Sequence, residues 1–223
     1  MFFSLRDKLH YCTASGRTII LDIEADRYLA LPPDIDEAFR RAAGGEACGS
    51  DDARLLQSLV ARGLLIPQTH SPNADLSVRI VPPSRDVISS ISCSPRLSML
   101  LQVASAQCIV AWRIRFCGLP AVIRNLESRK LIAGVGVAER HDHEYAGINA
   151  AFEALGLVFR RSDRCLVRSL AYIWICLRRG FTPSVVFGVQ ASPFSAHCWV
   201  QQGEAVLNDT IENVRPFTPI MAV

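Results

Sequence analysis

Much that would narrow the possibilities is missing from this chain of 223 residues. The opening run, MFFSLRDKLHYC, holds no apolar signal region, which argues against a secreted, disulfide-bonded protein. None of the eight cysteines forms a C-x-x-C pair, so the commonest zinc and dithiol signatures are absent. Buried, inert thiols in a reducing cytoplasm are the expectation. The net charge of +3 is too small to argue for nucleic acid or an anionic membrane surface. No internal repeat, low-complexity tract or glycine-rich phosphate loop occurs, and Gly134-Val135-Gly136 lacks the third glycine. The apolar run Leu97–Trp112 contains Gln102 and Gln107 and falls short of the ~20 residues a membrane span needs. It predicts a buried core helix, within helical stretches over Pro95–Cys117 that break at Leu119-Pro120 and Asn125.

What is present suits an α+β protein of one large or two small domains, for half of the residues are hydrophobic. Alternation predicts strands over Lys8–Ala14, Thr18–Glu24 and Arg27–Leu31. Asp34 or Asp36 then caps a helix through Ala43. Ser50 or Asp51 caps the next, whose apolar face is Leu55, Leu56, Leu59 and Val60. Leu64–Ile66 reads as a short closing strand. Strands and then helices in a short span predict a winged-helix-like module over residues 1–68. Its last helix, DDARLLQSLVARG, lacks the basic face that DNA reading needs. A polar, proline-containing linker follows over 69–84, and a second domain fills 85–223.

The densest chemistry lies between Ser162 and Asp209. Leu166, Leu170, Ile173, Trp174 and Leu177 make one helical stripe, with Ser162 as N-cap and Gly180 at the C-terminus. Cys165 then sits in the first turn, where free N–H groups and the helix dipole favour its thiolate. Arg164 assists and Asp163 opposes. Downstream, Phe194–Gln201 and Ala205–Asp209 predict a hairpin closed by Gln202-Gly203-Glu204. With the loop centred on Gly203, His197 faces Asp209, Trp199 faces Leu207 and Val200 faces Val206. Opposed side chains are about 5 Å apart on one face. Aspartate then holds one imidazole nitrogen and leaves the other for a thiol. The same register sends Asn208, the alternative orienting residue, and Cys198 to the opposite face. Thiol on a helix mouth, base on a strand and acid on the next is the plan of a thiol protease.

The segments SDRCLVRSLAY and GVQASPFSAHCWVQQGEAVLND resemble the B protein of lasso-peptide biosynthesis, a leader peptidase with a transglutaminase-like, papain-like cysteine-protease fold. The resemblance implies that Cys165, His197 and Asp209 are the catalytic triad. GRTIILDIEADRYLAL further resembles the PqqD-like element that recognises leader peptides. There the leader adds as a strand beside the third strand and against the last helix, which implicates Arg27, Tyr28, Leu29, Leu31, Leu55 and Leu59. The implied partners are the precursor peptide and an asparagine-synthetase-like, ATP-dependent macrolactam cyclase. ATP would serve the cyclase; no cofactor is expected in this chain.

Two other functions compete. The triad could transfer an acyl group to an amine, as transglutaminases do, or be vestigial in a leader-binding scaffold. His141-Asp142-His143-Glu144 has metal-ligand chemistry but no further ligand pair, so it reads as the start of a helix spanning His143–Leu155 and no metal is expected.

Overall fold

A computed structural model describes residues 1–70, 80–88, 94–133, 142–156 and 165–223. The chain forms two compact units. One is Met1–Arg79 with Val189–Ser195; the other is Ile80–Gly188 with Ala196–Val223. The division after residue 79 falls inside the span read as linker, most of which, with Gly134–Ala138, lies outside the described residues.

In the first unit the strands are β1 (Phe2–Leu5), β2 (Leu9–Ala14), β3 (Arg17–Asp22) and β4 (Arg27–Ala30). Helices α1 (Pro33–Ala43) and α2 (Ser50–Ala61) and strand β5 (Leu65–Gln68) follow. β2, β3 and β4 form an antiparallel sheet, with Ile20 opposite Tyr11 on one side and Leu29 on the other. β1 was not expected; it pairs antiparallel with β5, and Pro67 sits within β5 rather than ending it. Such a placement is open to proline only where no ladder N–H is needed. Ile20, Leu31, Phe39, Leu56, Leu59 and Leu65 close one core between the strands and the two helices.

The helix starts differ from expectation. α1 begins after Pro32 and α2 after Gly49, neither with a side-chain cap. Asp36 instead turns inward and accepts from the Thr18 N–H at 3.2 Å and from the Thr18 hydroxyl, tying α1 to β3. Asp52 takes both a 2.7 Å and a 3.1 Å bond from Arg41, joining the helices. A carboxylate in a first turn can thus answer a long-range partner as well as the local N–H groups.

The second unit holds β6 (Arg85–Asp86), α3 (Leu97–Ala133), α4 (Asp142–Gly156), α5 (Cys165–Arg178), β7 (Ser184–Ala191), β8 (Phe194–Gln202), β9 (Ala205–Val206), α6 (Ile211–Val214) and β10 (Thr218–Ala222). Five strands form one sheet in the order β10-β7-β8-β9-β6. The tip of the β7–β8 hairpin groups with the first unit, where Phe194 meets the Tyr28 ring at 5.6 Å. α3 packs against both α4 and α5. α5 is buried around most of its circumference, from Ser169 to Ile173 and at Ile175 and Cys176, not along the single stripe expected.

α3 corrects two expectations. The break expected at Leu119-Pro120 is present one residue earlier: Gly118 (φ 77°, ψ 159°) leaves the helical region, two helical pieces meet there, and Pro120 falls in the first turn of the second. Asn125 is inside the helix, accepting from Arg113 at 3.3 Å and Arg129 at 3.1 Å. Nor is the apolar run buried. Val103, Ala106 and Val110 face inward, while Leu97, Leu101, Ile109, Trp112 and Phe116 are exposed. A run apolar on every side cannot say which side is covered. By length and composition alone, Leu97–Ile132 is also apolar enough to cross a membrane.

Candidate active site

The site grows from the β8–β9 turn. Gln201 pairs with Val206 and Gln202 with Ala205, so the loop is the two residues Gly203-Glu204. The expected three-residue loop is therefore wrong by one residue. Gly203 has a φ of 55°, a left-handed value that lets glycine close so tight a turn. That register alone would put His197 and Asp209 on opposite faces. They meet because β9 ends after Val206 and the ladder stops two residues later. Leu207 still donates its N–H to the Val200 carbonyl at 2.8 Å. The Val200 N–H is then met at 2.7 Å by the side-chain oxygen of Asn208, not by a backbone carbonyl. Freed from pairing, the chain turns and delivers Asp209 Oδ2 to His197 Nε2 at 2.7 Å.

Asn208 does a second thing. Its Nδ2 donates to Ser169 Oγ at 2.9 Å, and Ser169 donates to the Cys198 carbonyl at 2.8 Å. Asn208 and Ser169 are buried. Each member of this chain adjoins a reactive residue: Asn208 precedes Asp209, Cys198 follows His197, and Ser169 lies one turn beyond Cys165. A satisfied buried polar network fixes such spacings more narrowly than apolar packing does.

Asp209 is held from three sides. Its Oδ1 accepts the Thr210 N–H at 2.8 Å and the Asn213 amide at 2.9 Å. Thr210 caps α6, accepting from the Asn213 N–H, and Asp86 of β6 receives the Ile211 N–H at 3.3 Å. Burial alone would raise the Asp209 pKa. The bonds from His197, Asn213 and Thr210 outweigh it and keep the group below the usual carboxylate range.

The imidazole packs beside Trp199, with centroids 6.1 Å apart, and Phe217 at 5.1 Å. Trp199 needs Gly188 beneath it, since a Cβ there would lie 2.6 Å from the indole. Burial would lower the His197 pKa, but the Asp209 and Cys165 contacts raise it to about 9. With Nε2 on Asp209, Nδ1 is left for the thiol.

Cys165 is the first residue of α5; Ser162, Asp163 and Arg164 lie outside the described residues. Burial pushes its thiol up. The bond with His197 and the N–H groups of Cys198 and Leu166 push it down, and the net shift is downward. The other buried cysteines move the opposite way: burial takes Cys12 to about 11 and also raises Cys176 and Cys198. Cys108 and Cys117, expected to be buried, are exposed on α3. Cys93 lies outside the described residues.

Cys165, His197 and Asp209 share a cavity of about 320 Å³ with Arg168, Thr210 and Asn213. Arg168 bonds Glu153 at 2.6 Å, and its buried Nε has no partner among the described residues. Sequence reasoning missed Ser169, Thr210, Asn213 and Phe217. Ser169 was findable, at four residues from Cys165 on one helix face, and T-x-x-N hints at the α6 cap. Phe217 carries no local signal. Of the six residues expected to touch a leader, Leu31 and Leu59 are core, 3% and 1% exposed, and out of a peptide's reach. Arg27 lies 3.7 Å from Asp22. Tyr28, Leu29 and Leu55 are half-buried. In the first turn of α4, Asp142 pairs with Arg85 at 3.3 Å and Glu144 with Arg179 at 3.1 Å. His141 lies outside the described residues, and among those described no three metal-ligating side chains converge.

A thiol lowered by an imidazole that a carboxylate steadies can attack an acyl carbon, and the imidazolium can then protonate the leaving group. No curated protein and no solved structure matches the chain. The model of the transglutaminase-like superfamily does, over residues 107–222, just over half of the sequence and the whole of the Cys165–His197–Asp209 constellation. The chain belongs to the transglutaminase-like superfamily.

Proposed function

We propose that this protein is a cysteine peptidase that removes the leader from a ribosomally made precursor in lasso-peptide maturation. The observation that carries the reading is the meeting of Cys165, His197 and Asp209 in one cavity, with the thiol shifted down and the imidazole up. The Cys165 thiolate attacks the carbonyl at the leader–core junction. His197, as imidazolium, protonates the departing amine and then draws a proton from the water that hydrolyses the acyl-enzyme. Asp209 orients the ring and balances its charge. The first unit is the winged-helix-like, PqqD-like holder of the leader, whose strand adds beside β4 near Arg27, Tyr28 and Leu29. The freed core amine passes to a separate ATP-dependent macrolactam cyclase. Both proteins work in a reducing cytoplasm, where the thiol stays reduced.

The test is a precursor peptide incubated with the protein and with its Cys165→Ala variant, read by mass spectrometry. The wild-type chain releases leader and core. The variant loses roughly 10³-fold or more of that rate. Leader removal that continues unchanged in the variant overturns the reading. Family membership supports one rival, acyl transfer to an amine. The same spectra separate the two, since hydrolysis adds water across the broken bond and transfer adds the amine.

A further inference from the structure

A second cavity, of about 570 Å³, is lined by Trp199 and Phe217 and contains neither His197 nor the thiol. The segment leading into β6 forms one wall with Val81 and Pro82, and Ile211, Phe217 and Pro219 form the other. Trp199, 1% exposed, lies at its base. The segment is tied down at both ends. Gln201 donates to the Val81 carbonyl at 2.6 Å, and Ser84 donates its N–H to the Glu204 carbonyl at 2.9 Å. The cavity opens to the surface along Val81 and Pro82, and a preformed, mostly apolar pocket of several hundred Å³ is the usual form of a ligand site. One charged residue borders it. Arg215 is exposed and makes no ion pair among the described residues.

We propose that this cavity is a substrate subsite that seats one bulky apolar residue of the bound peptide, with a carboxylate beside it held by Arg215. The proposal rests on the peptidase reading and deepens it. Trp199 and Phe217 line the cavity and also pack against the His197 ring. A side chain seated there is one aromatic layer from the reacting centre. An extended peptide advances ~3.3 Å per residue, which places the recognised residue one or two positions from the scissile bond. The apolar walls exclude a polar side chain for want of hydrogen-bond partners. The unpaired guanidinium selects an anionic neighbour and supplies a fork that suits a carboxylate.

Three small probes isolate the two features: N-acetyl-phenylalanine, its amide, and N-acetyl-aspartate. Binding to the full chain is titrated by ligand-observed NMR. N-acetyl-phenylalanine binds, and its amide binds about fivefold more weakly, the worth of one exposed ion pair. Arg215→Gln makes acid and amide equal, and Ile211→Trp, which fills the cavity, abolishes both. Arg215 is exposed, so its variant keeps the test alive if Ile211→Trp fails to fold. The proposal is overturned if N-acetyl-aspartate binds as well as N-acetyl-phenylalanine, or if both variants bind like the wild type. Binding is read without turnover. A protein that shows this pattern yet cleaves no peptide overturns the peptidase reading and leaves the subsite standing.

Discussion

Where the protons sit decides what Cys165 can do. With His197 raised to about 9 and the thiol lowered, both shifts favour the thiolate–imidazolium pair over the neutral pair. The imidazolium persists below about 9 and is lost as pH rises through that value. Under the peptidase reading, cleavage is therefore expected to fall on an alkaline limb centred near pH 9, measured as kcat/KM against pH. Asp209→Asn removes the carboxylate that holds the proton, so that limb should move down toward the ordinary histidine value of 6.5; a limb that stays put would detach Asp209 from the ring. Asn208 and Ser169 never touch the reacting atoms. Asn208→Ala leaves the Val200 N–H and the Ser169 hydroxyl short of partners and is expected to cost about 1–3 kcal/mol in chemical denaturation. The residue types of the site were readable in the sequence, because a cysteine at a helix mouth and a histidine and aspartate on neighbouring strands have known uses. Phe217 was not, since its nearness to His197 arises only when β10 returns to the sheet.

Among the elements, the β8–β9 hairpin was read correctly for the pair it brings together and wrongly for the way it does so. Turn composition alone could not choose between a two- and a three-residue loop, because Gln202-Gly203-Glu204 suits either. The compensating break at Asn208 depends on a side chain posing as a backbone acceptor, which no alternation pattern reveals. α3 shows the opposite failure: its hydrophobicity was plain, and the side it buries was not. β7 was legible as the first of three short strands after the helix of Cys165, yet nothing marked Gly188 within it as setting the depth at which Trp199 lies. Gly188→Ala places a methyl against the indole and is expected to destabilise the fold by about 1–3 kcal/mol, measured by thermal or urea unfolding. An unchanged midpoint would show that Trp199 can shift without loss.

For the molecule as a whole, the strand-then-helix order of the first unit was legible from alternation and turn residues, except for β1, whose FFSL shows no alternation. If the first unit holds a leader beside β4, Leu29→Asp in the full chain should weaken precursor binding about tenfold or more, read by titration, while the alkylation rate of Cys165 by iodoacetamide stays unchanged. Equal affinity would return that unit to a structural role. The early end of the ladder reaches furthest. Had antiparallel pairing continued past Val200 and Leu207, the next bonded partners would be Cys198 and Asp209. Those same Cys198 groups are spent elsewhere: its N–H on the sulfur of Cys165, its carbonyl on Ser169. Sheet and reactive centre thus compete for one residue's backbone. Any substitution that zips the hairpin further buys rigidity by disarming the sulfur, so along these few positions directed evolution toward heat resistance and toward turnover must part ways.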